Sequence, residues 1–337
     1  LTDRQPLFSV CAPEMYHEVV SPIVAKLAGA GLVVEHFGDY EALRRAGGLA
    51  RARIVIANAC PGWALDAAPN LVAVINPVSG CDAIDRAAAT RHGVIVGVGH
   101  IPENYESMAE AGIALILGAM LDLPAAERQL RQNLPPGPRR GRMLSGKTVG
   151  LIGYGKIAQG IARRLGGWDV HILISAPRLH AVLPQGGRHV PLDDLLRDSD
   201  VVVVACSLND DTRRLLDRGK LALMKPDAVL VNIARGPIID EQAAYEAARD
   251  GRLGFLALDV FEQEPLPEDS PLRGLPNAIL TPHMLGHTIE SLEAVIAMAA
   301  GNVKRVLAGE PPEIVLNPEV LPRWRGAIQG STSAFWE

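Results

Sequence analysis

The chain has 337 residues, of which 48% are hydrophobic and 21% charged, with a formal net charge of −5. That length predicts two domains, each able to bury its own core, and the composition is that of an ordinary globular protein. The negative balance excludes a general attraction to nucleic acid or to an anionic membrane surface. Cys11, Cys60, Cys81 and Cys206 are far apart and form no Cys-x-x-Cys pair, so they read as free thiols of a reducing compartment. No apolar run reaches membrane-spanning length and no basic-then-apolar leader opens the chain; the expectation is a cytoplasmic protein.

In chain order, residues 7–96 alternate apolar, strand-like runs with helical patterns. Candidate strands lie at 7–11, 32–36, 53–57, 71–75 and 94–96, and helical stretches near 15–28, 39–46 and 82–92 separate them. Such alternation predicts a parallel sheet with crossover helices. Pro102 then opens a long helix, its apolar residues running through Ile113, Leu115, Ile116, Leu117 and Met120. The stretch 121–145 carries Pro135-Pro-Gly-Pro138 and the cluster Arg139-Arg140-Gly-Arg142, which reads as a solvated loop rather than a nucleic-acid patch.

A second α/β series starts at Lys147, with strands at 170–174, 201–205, 229–233, 255–258 and 278–280. A helical stretch at 289–307 and a short apolar run at 314–316 follow. The series opens on an apolar strand, then Gly153-Tyr154-Gly155-Lys156-Ile157-Ala158, then the amphipathic run Ile157, Ile161, Ala162 and Leu165. Gly-x-Gly-x-x-Ala between a strand and a helix is a dinucleotide-binding fingerprint. The first glycine allows a tight turn, the second lets backbone approach a pyrophosphate, and the helix N-terminus supplies amide donors.

Three polar residues follow apolar runs further on: Arg235 in Asn-Ile-Ala-Arg-Gly, Glu264 in Asp-Val-Phe-Glu-Gln-Glu-Pro, and His283 in Leu-Thr-Pro-His. Buried parallel strands read as short apolar runs, and open α/β sheets bind ligands beyond the carboxyl ends of their strands. A cation, a carboxylate and an imidazole at three such ends predict one active site. Each taken alone reads as a surface cation, a solvated loop acid or a helix-capping histidine.

With fingerprint and triplet in this order, the chain resembles the D-isomer-specific 2-hydroxyacid dehydrogenase family from about Val10 to about Val315. The motifs that carry the resemblance are Ala-Arg-Gly-x-Ile-x-Asp at 234–240, Asp-Val-Phe-x-x-Glu-Pro at 259–265 and Thr-Pro-His at 281–283. The resemblance implies two doubly wound parallel-sheet domains of the α/β class. A Rossmann cofactor domain, 102–287, would be inserted into a flavodoxin-like substrate domain, 1–101 and 288–337. It implies NAD(P)-dependent interconversion of a 2-oxo acid and a D-2-hydroxy acid, with glyoxylate/hydroxypyruvate-type reduction as the expected direction.

In that reaction the resemblance makes His283 the acid/base, because its ordinary titration lies near neutrality. Glu264 would fix the ring tautomer and favour the imidazolium, and Arg235 would grip the carboxylate and the carbonyl oxygen. The implied cofactor set comprises Gly153, Tyr154, Gly155, Lys156, Ile157, Ser175, Arg178, Ser207, Thr212, Ile233, Ala234, Asp259, His283 and Gly286. Asp259 would meet the nicotinamide carboxamide, or else cap a turn. A homodimer is also implied, although 121–145 is short for the arm through which members often dimerise.

Three departures from the family pattern carry further expectations. The substrate loop reads Asn76-Pro77-Val78-Ser79-Gly80-Cys81-Asp82, with Val78 and Ser79 in unusual places; the amides of Ser79 and Gly80 are expected to bind an anion, with the Ser79 hydroxyl as an added donor. In the linker Gly99-His100-Ile101-Pro102, His100 lines the substrate cleft or is a plain hinge-surface residue. The strand at 170–174 ends on Ser175, with Arg178 beyond it, where an acid would favour NAD. This favours NADP over NAD, unless Arg178 points into solvent and leaves dual specificity.

His283, His287 and Glu290 imitate metal-ligand spacing, but Pro282 and Gly286 argue against one continuous helix, and no metal is expected. Two alternatives stay open: a D-3-phosphoglycerate dehydrogenase-like enzyme, and a non-catalytic, NAD(H)-sensing corepressor-like protein that keeps the same triplet. Glu264 argues against a formate dehydrogenase, where a glutamine is usual. The absence of a basic excess favours an enzyme over the sensor.

Overall fold

The computed structural model describes residues 7–11, 15–135, 137, 141–179 and 181–324. In chain order the elements are β1 (Leu7–Val10), α1 (Ser21–Ala28), β2 (Val34–Phe37), α2 (Tyr40–Arg45), α3 (Gly48–Arg51), β3 (Ile54–Ile56), α4 (Gly62–Asp66), β4 (Ala73–Ile75), α5 (Arg86–Arg91) and β5 (Ile95–Gly97). Then come α6 (Pro102–Met120), α7 (Leu123–Arg131), β6 (Thr148–Ile152), α8 (Lys156–Leu165), β7 (His171–Ser175), β8 (Arg188–His189), α9 (Leu192–Asp198) and β9 (Val201–Val204). The last are α10 (Arg218–Leu221), β10 (Val229–Asn232), α11 (Glu241–Arg249), β11 (Phe255–Leu258), β12 (Ala278–Leu280) and α12 (Ile289–Leu307). The chain divides into two compact units, one holding the residues up to Asn104 and from Thr288 onward, the other Tyr105–His287.

The first unit is built on a five-stranded sheet of order β2-β1-β3-β4-β5, parallel throughout. This is the flavodoxin-like doubly wound order. β1, β3, β4 and β5 are buried along their whole length, as strands covered on both faces must be. Leu43, Leu49, Leu65, Val55, Val74 and Ala88 form the core on one side; Ile23, Leu27, Ile54, Ile75, Met298 and Val303 form it on the other. α12, late in the sequence, therefore belongs to this unit. The run at 314–316 adds an antiparallel bridge to the edge strand, Leu316 N donating to Val96 O at 2.8 Å and Val98 N to Ile314 O at 3.1 Å.

The second unit holds a seven-stranded parallel sheet of order β12-β11-β10-β9-β6-β7-β8. Strand order reverses at β6, between β7 and β9, and in an open sheet the crevice above such a reversal is where ligands bind. The valines of β9 and the Val-Leu-Val of β10 are buried, which is why these segments read so plainly as strands. The second half of α6 supplies Ala109, Leu115, Ile116, Ala119 and Met120 to this unit's core. The division falls after Asn104 rather than before Pro102, because Asn104 bonds back to Ser79 and Gly99.

Several elements differ from the sequence expectation. The helical stretch near 82–92 starts only at Arg86, because Asp85 caps it, accepting from Ala88 N at 2.8 Å. The stretch near 15–28 is a π-type turn, Tyr16–Val20, running into α1. β8 went unread because its two residues are polar and lie on a sheet edge. α4 and α7 were hidden by Pro61-Gly62 and by Pro124, which read as loop signals yet stand at helix starts.

Arg139 and Arg140 of the basic cluster lie outside the described residues, while Arg142 pairs with Asp227. All four cysteines are free thiols, and burial pushes those of Cys11, Cys60 and Cys206 up to about 11. Among the described residues no single helix is long and apolar enough to cross a membrane; α6 and α7 pass that test only as a pair bent by 65°.

Candidate active site

The fingerprint turn is fixed by backbone geometry. Gly153 has φ of 89°, and a Cβ there would stand 2.8 Å from both Ala205 O and Cys206 Cα. Only glycine meets both demands. Its amide donates to Ser175 O at 2.8 Å, locking the turn onto the end of β7. Gly155 is the N-cap of α8, with no side chain capping the helix, and a Cβ built on it meets nothing within 4 Å. An uncapped helix N-terminus behind an open glycine is the cradle that a pyrophosphate requires. Tyr154, Lys156 and Ile157 share this turn, and Gln159 Nε2 donates to Tyr154 O at 2.9 Å.

The other cofactor candidates also lie at strand ends of this unit. Ser175 closes β7 and Arg178 is exposed three residues on; the carbonyl between them, Ala176 O, accepts from His189 Nε2 at 2.9 Å. Ser207 and Thr212 sit in the turn after β9, where Thr212 Oγ1 donates to Ser207 O at 2.7 Å and accepts from Asn209 N at 2.8 Å. Ile233 and Ala234 follow β10. Gly286, after β12, accepts at its carbonyl from Ser107 Oγ of α6 at 2.7 Å.

Arg235 is held by a residue the sequence reading passed over. Asn232, 1% exposed at the end of β10, accepts from Ala234 N at 3.0 Å and donates to Arg235 O at 2.9 Å. The Arg235 guanidinium donates to Ala234 O at 2.7 Å. Next to it, a Cβ on Gly236 would fall 1.8 Å from the carbonyl carbon of Phe261. The loop bearing Arg235 thus lies directly on the loop bearing Glu264, and glycine is obligatory between them. Glu241, also unread, ties the same loops, accepting from Glu262 N at 2.9 Å; burial and the nearby Glu262 and Glu264 carboxylates raise its carboxyl above the usual range.

Glu264 and His283 are bonded to each other, Nδ1 to Oε2, at 2.7 Å. The second Glu264 oxygen accepts from Phe261 N at 3.0 Å. Burial pushes the Glu264 carboxyl up, but the hydrogen bond and charge of His283, the Phe261 amide and the charge of Arg235 outweigh it and hold the group below the ordinary range. His283 itself has φ of 58°, the left-handed region that a side chain enters only when its surroundings enforce it.

Those surroundings are supplied by Asp259 and Thr281. Thr281 N donates to Leu258 O at 3.0 Å, and Thr281 Oγ1 donates to Asp259 Oδ1 at 2.7 Å. Asp259, 1% exposed, also accepts from Met284 N at 3.3 Å, so it holds the residues on both sides of His283. Burial raises its carboxyl above the usual range against the pull of Thr281, His283 and the Leu285 and Met284 amides. His287 lies in the non-helical segment before Thr288 caps α12, and no group of three or more metal-ligating residues occurs among the described residues.

In the five-stranded unit, Ser79 and Gly80 lie in the loop after β4. The Ser79 hydroxyl is not an added donor for a ligand: it donates to Gly99 O at 2.9 Å and accepts from Asn104 Nδ2 at 3.1 Å. His100, from the linker, bonds Ser79 O through Nε2 at 2.8 Å.

Residues 113–284 match the family model described as D-isomer specific 2-hydroxyacid dehydrogenase, NAD binding domain. The chain is similar to a glyoxylate reductase of Thermofilum pendens, 37% identical over 267 residues that make up 76% of this chain and 78% of that one. It is equally similar to a glyoxylate/hydroxypyruvate reductase B of Pectobacterium carotovorum, 37% identical over 265 residues, 76% of this chain and 82% of that one. Among solved structures, an NADPH-dependent glyoxylate/hydroxypyruvate reductase of Sinorhizobium meliloti in complex with NADP and malonate aligns with a TM-score of 0.83 at 26% identity, covering 93% of this chain and 97% of that one. A fingerprint turn at the switch point of a parallel sheet, the Arg235–Glu264–His283 loops above it and these likenesses place the chain in the D-isomer specific 2-hydroxyacid dehydrogenase family, as an oxidoreductase that interconverts 2-oxo and 2-hydroxy acids.

Proposed function

We propose that this protein reduces a short 2-oxo acid of the glyoxylate or hydroxypyruvate kind to the D-2-hydroxy acid, with NADPH preferred over NADH. The observation that carries the reading is the 2.7 Å bond between Glu264 and His283 Nδ1, which leaves Nε2 without a partner among the described residues. Nε2 is then the atom that handles the proton. In reduction the imidazolium gives it to the carbonyl oxygen, and in oxidation the neutral ring removes it from the hydroxyl. Glu264, its carboxyl held below the ordinary range and so ionised near neutrality, fixes the ring orientation through that bond. Arg235 offers a planar fork to the substrate carboxylate and stabilises charge developing on the oxygen beside it.

The nicotinamide cofactor, when bound, supplies or accepts the hydride. Gly153 to Ile157 would hold its pyrophosphate on the N-terminus of α8, with Ser207, Thr212, Ile233, Ala234 and Gly286 around it. Asp259 would serve nicotinamide binding by fixing the segment that carries His283. Ser175 in place of an acid, and the exposed cation Arg178 beyond it, support NADPH: a carboxylate there would repel a 2′-phosphate, whereas a hydroxyl and a guanidinium receive one. The NADPH dependence named for the Sinorhizobium meliloti enzyme supports the same choice. Within the five-stranded unit, the Ser79 and Gly80 amides would form an anion site for the substrate carboxylate.

Homodimeric assembly and a cytoplasmic location belong to the same proposal. α7 has no buried residue, and its Leu123 and Leu130 are 60% and 84% exposed, a face that a second copy of the chain would cover; sedimentation of the purified protein checks it. The central experiment compares catalytic efficiency with NADPH and NADH across a panel of 2-oxo acids. Efficient reduction of glyoxylate or hydroxypyruvate with NADPH is expected. A strong NADH preference overturns the cofactor choice, and tight cofactor binding without turnover of any 2-oxo acid overturns the enzyme in favour of a nucleotide sensor.

A further inference from the structure

The loop 76–80 of the five-stranded unit can be accounted for bond by bond. Asn76, fully buried, donates from Nδ2 to Gly80 O at 2.6 Å and accepts at Oδ1 from Val78 N at 3.0 Å. Val78 O accepts from Gly99 N at 3.1 Å. The Ser79 hydroxyl is spent between Gly99 O and the Asn104 amide, and the same Asn104 nitrogen also donates to Gly99 O at 2.8 Å. Ser79 O is taken by His100 Nε2 at 2.8 Å; a carbonyl can only accept, so that ring nitrogen carries the hydrogen. The backbone at 99 lies so close that a Cβ on Gly99 would fall 2.2 Å from Pro77 O.

Two donors remain. The amides of Ser79 and Gly80 have no acceptor among the described residues. Adjacent N–H groups in a turn make a concavity for an anion, provided nothing local satisfies them first. A serine hydroxyl at such a place is the natural competitor, since it readily turns back onto neighbouring backbone N–H groups. Here Asn104 and Gly99 hold it in a fixed direction.

We propose that His100, together with Asn104, is a positioning residue for the 2-oxo acid: the two side chains occupy the hydroxyl and carbonyl of Ser79 and leave the Ser79–Gly80 amide pair as the carboxylate donors of this loop. The inference rests on the reading of the protein as a 2-oxo acid reductase. It makes recognition in this loop a matter of backbone shape, with the serine side chain internal to the protein rather than in contact with substrate.

Steady-state kinetics with glyoxylate and NADPH test it on the full chain. Removing either side chain from the clamp should raise KM about 3- to 10-fold, in Asn104→Ala through two lost bonds and in His100→Leu through one. The value of kcat and the NADPH Kd should stay near wild type, the latter also showing that the variant is folded. His100→Gln, which keeps an N–H donor, should restore KM. Ser79→Ala combined with Asn104→Ala should raise KM by less than the product of the two single effects, because both variants lose the bond between Ser79 Oγ and Asn104 Nδ2. Unchanged KM in Asn104→Ala and His100→Leu overturns the proposal, and so does full multiplicativity of Ser79→Ala with Asn104→Ala, which would put the hydroxyl on the substrate. If the wild-type protein turns over no 2-oxo acid, the reductase reading fails, but the clamp is still decided by hydrogen exchange. Faster exchange at Val78 and Gly99 in Asn104→Ala supports it, and unchanged exchange overturns it.

Discussion

The two units share one architectural plan and use it in different ways. Both are parallel sheets whose carboxyl ends carry the candidate site residues. The seven-stranded unit places candidate side chains there: Arg235 after β10, Glu264 after β11 and His283 after β12, with buried Asn232 bracing the Arg235 loop and buried Asp259 bracing the segment around His283. The five-stranded unit places backbone there, and its side chains at the strand ends serve to keep two amides unpaired. Proton transfer needs a titratable group, which only a side chain supplies. Holding a carboxylate needs donors in a rigid arrangement, which backbone amides supply without side-chain entropy to lose.

Substitutions at five positions press on this contrast. His283→Ala removes the one titratable group that faces outward from the pair, and kcat should fall about 10³-fold with the NADPH Kd unchanged. Retained turnover in that variant would break the division of labour outright. Gly236→Ala tests the contact between the Arg235 and Glu264 loops, where a Cβ would stand 1.8 Å from backbone. Such overpacking against main chain should cost about 2–3 kcal/mol in denaturant unfolding. Gly155→Ala, with open space around its Cβ, should cost less than about 1 kcal/mol, yet weaken NADPH binding because the methyl enters the cofactor's approach.

Glu264→Gln keeps the shape of the pair and removes its charge. The rate of reduction should fall about 10-fold, because the ring loses its charge-assisted bond to the carboxylate. An unchanged rate would mean that the carboxylate charge adds nothing to the pair. The linkage to stability follows the depressed carboxyl. Stabilisation by ionised Glu264 is complete above its ordinary value of 4.5 and is lost as pH falls through the lower folded value, so Glu264→Gln should flatten that part of the acid-unfolding curve.

Asp259 carries the opposite sign. Its carboxyl is raised by burial, so the ionised form opposes folding near neutrality, and that opposition is relieved as pH falls through the folded value toward 3.8. Asp259→Asn keeps an acceptor for Thr281 and should change stability by less than about 1 kcal/mol, whereas Asp259→Leu, which strands the Thr281 hydroxyl and the Met284 amide, should cost about 1–3 kcal/mol in the same unfolding experiment. Equal losses in the two variants would assign Asp259 a role that depends on its charge.

Much of the fold was legible because its signals are local. β9 and β10 are unbroken apolar runs, and Gly153 to Ala158 sit in consecutive positions. The triplet could be proposed because each member is polar and lies within a few residues of the end of a short apolar strand. β8 was missed because two polar residues on an edge carry no apolar pattern, and α7 because Pro124 marks a helix start as readily as a loop. Asp259 could be ranked as important from its motif, but its bonds to Thr281 and Met284 span more than twenty residues and leave no periodic trace.

What the sequence alone determined was the class of fold, the dinucleotide turn, the family's reaction and the three residues proposed to perform it, since all of these depend on residue type next to a strand or helix end. What only the tertiary structure decided was the use made of ambiguous groups. Ser79, read from sequence as a donor to substrate, turned inward once Asn104 and Gly99 came within hydrogen-bond reach, and His100 acquired a carbonyl to hold rather than a cleft to line. A polar side chain has several satisfactory partners in an unfolded chain, and folding decides among them through neighbours that sequence distance does not reveal.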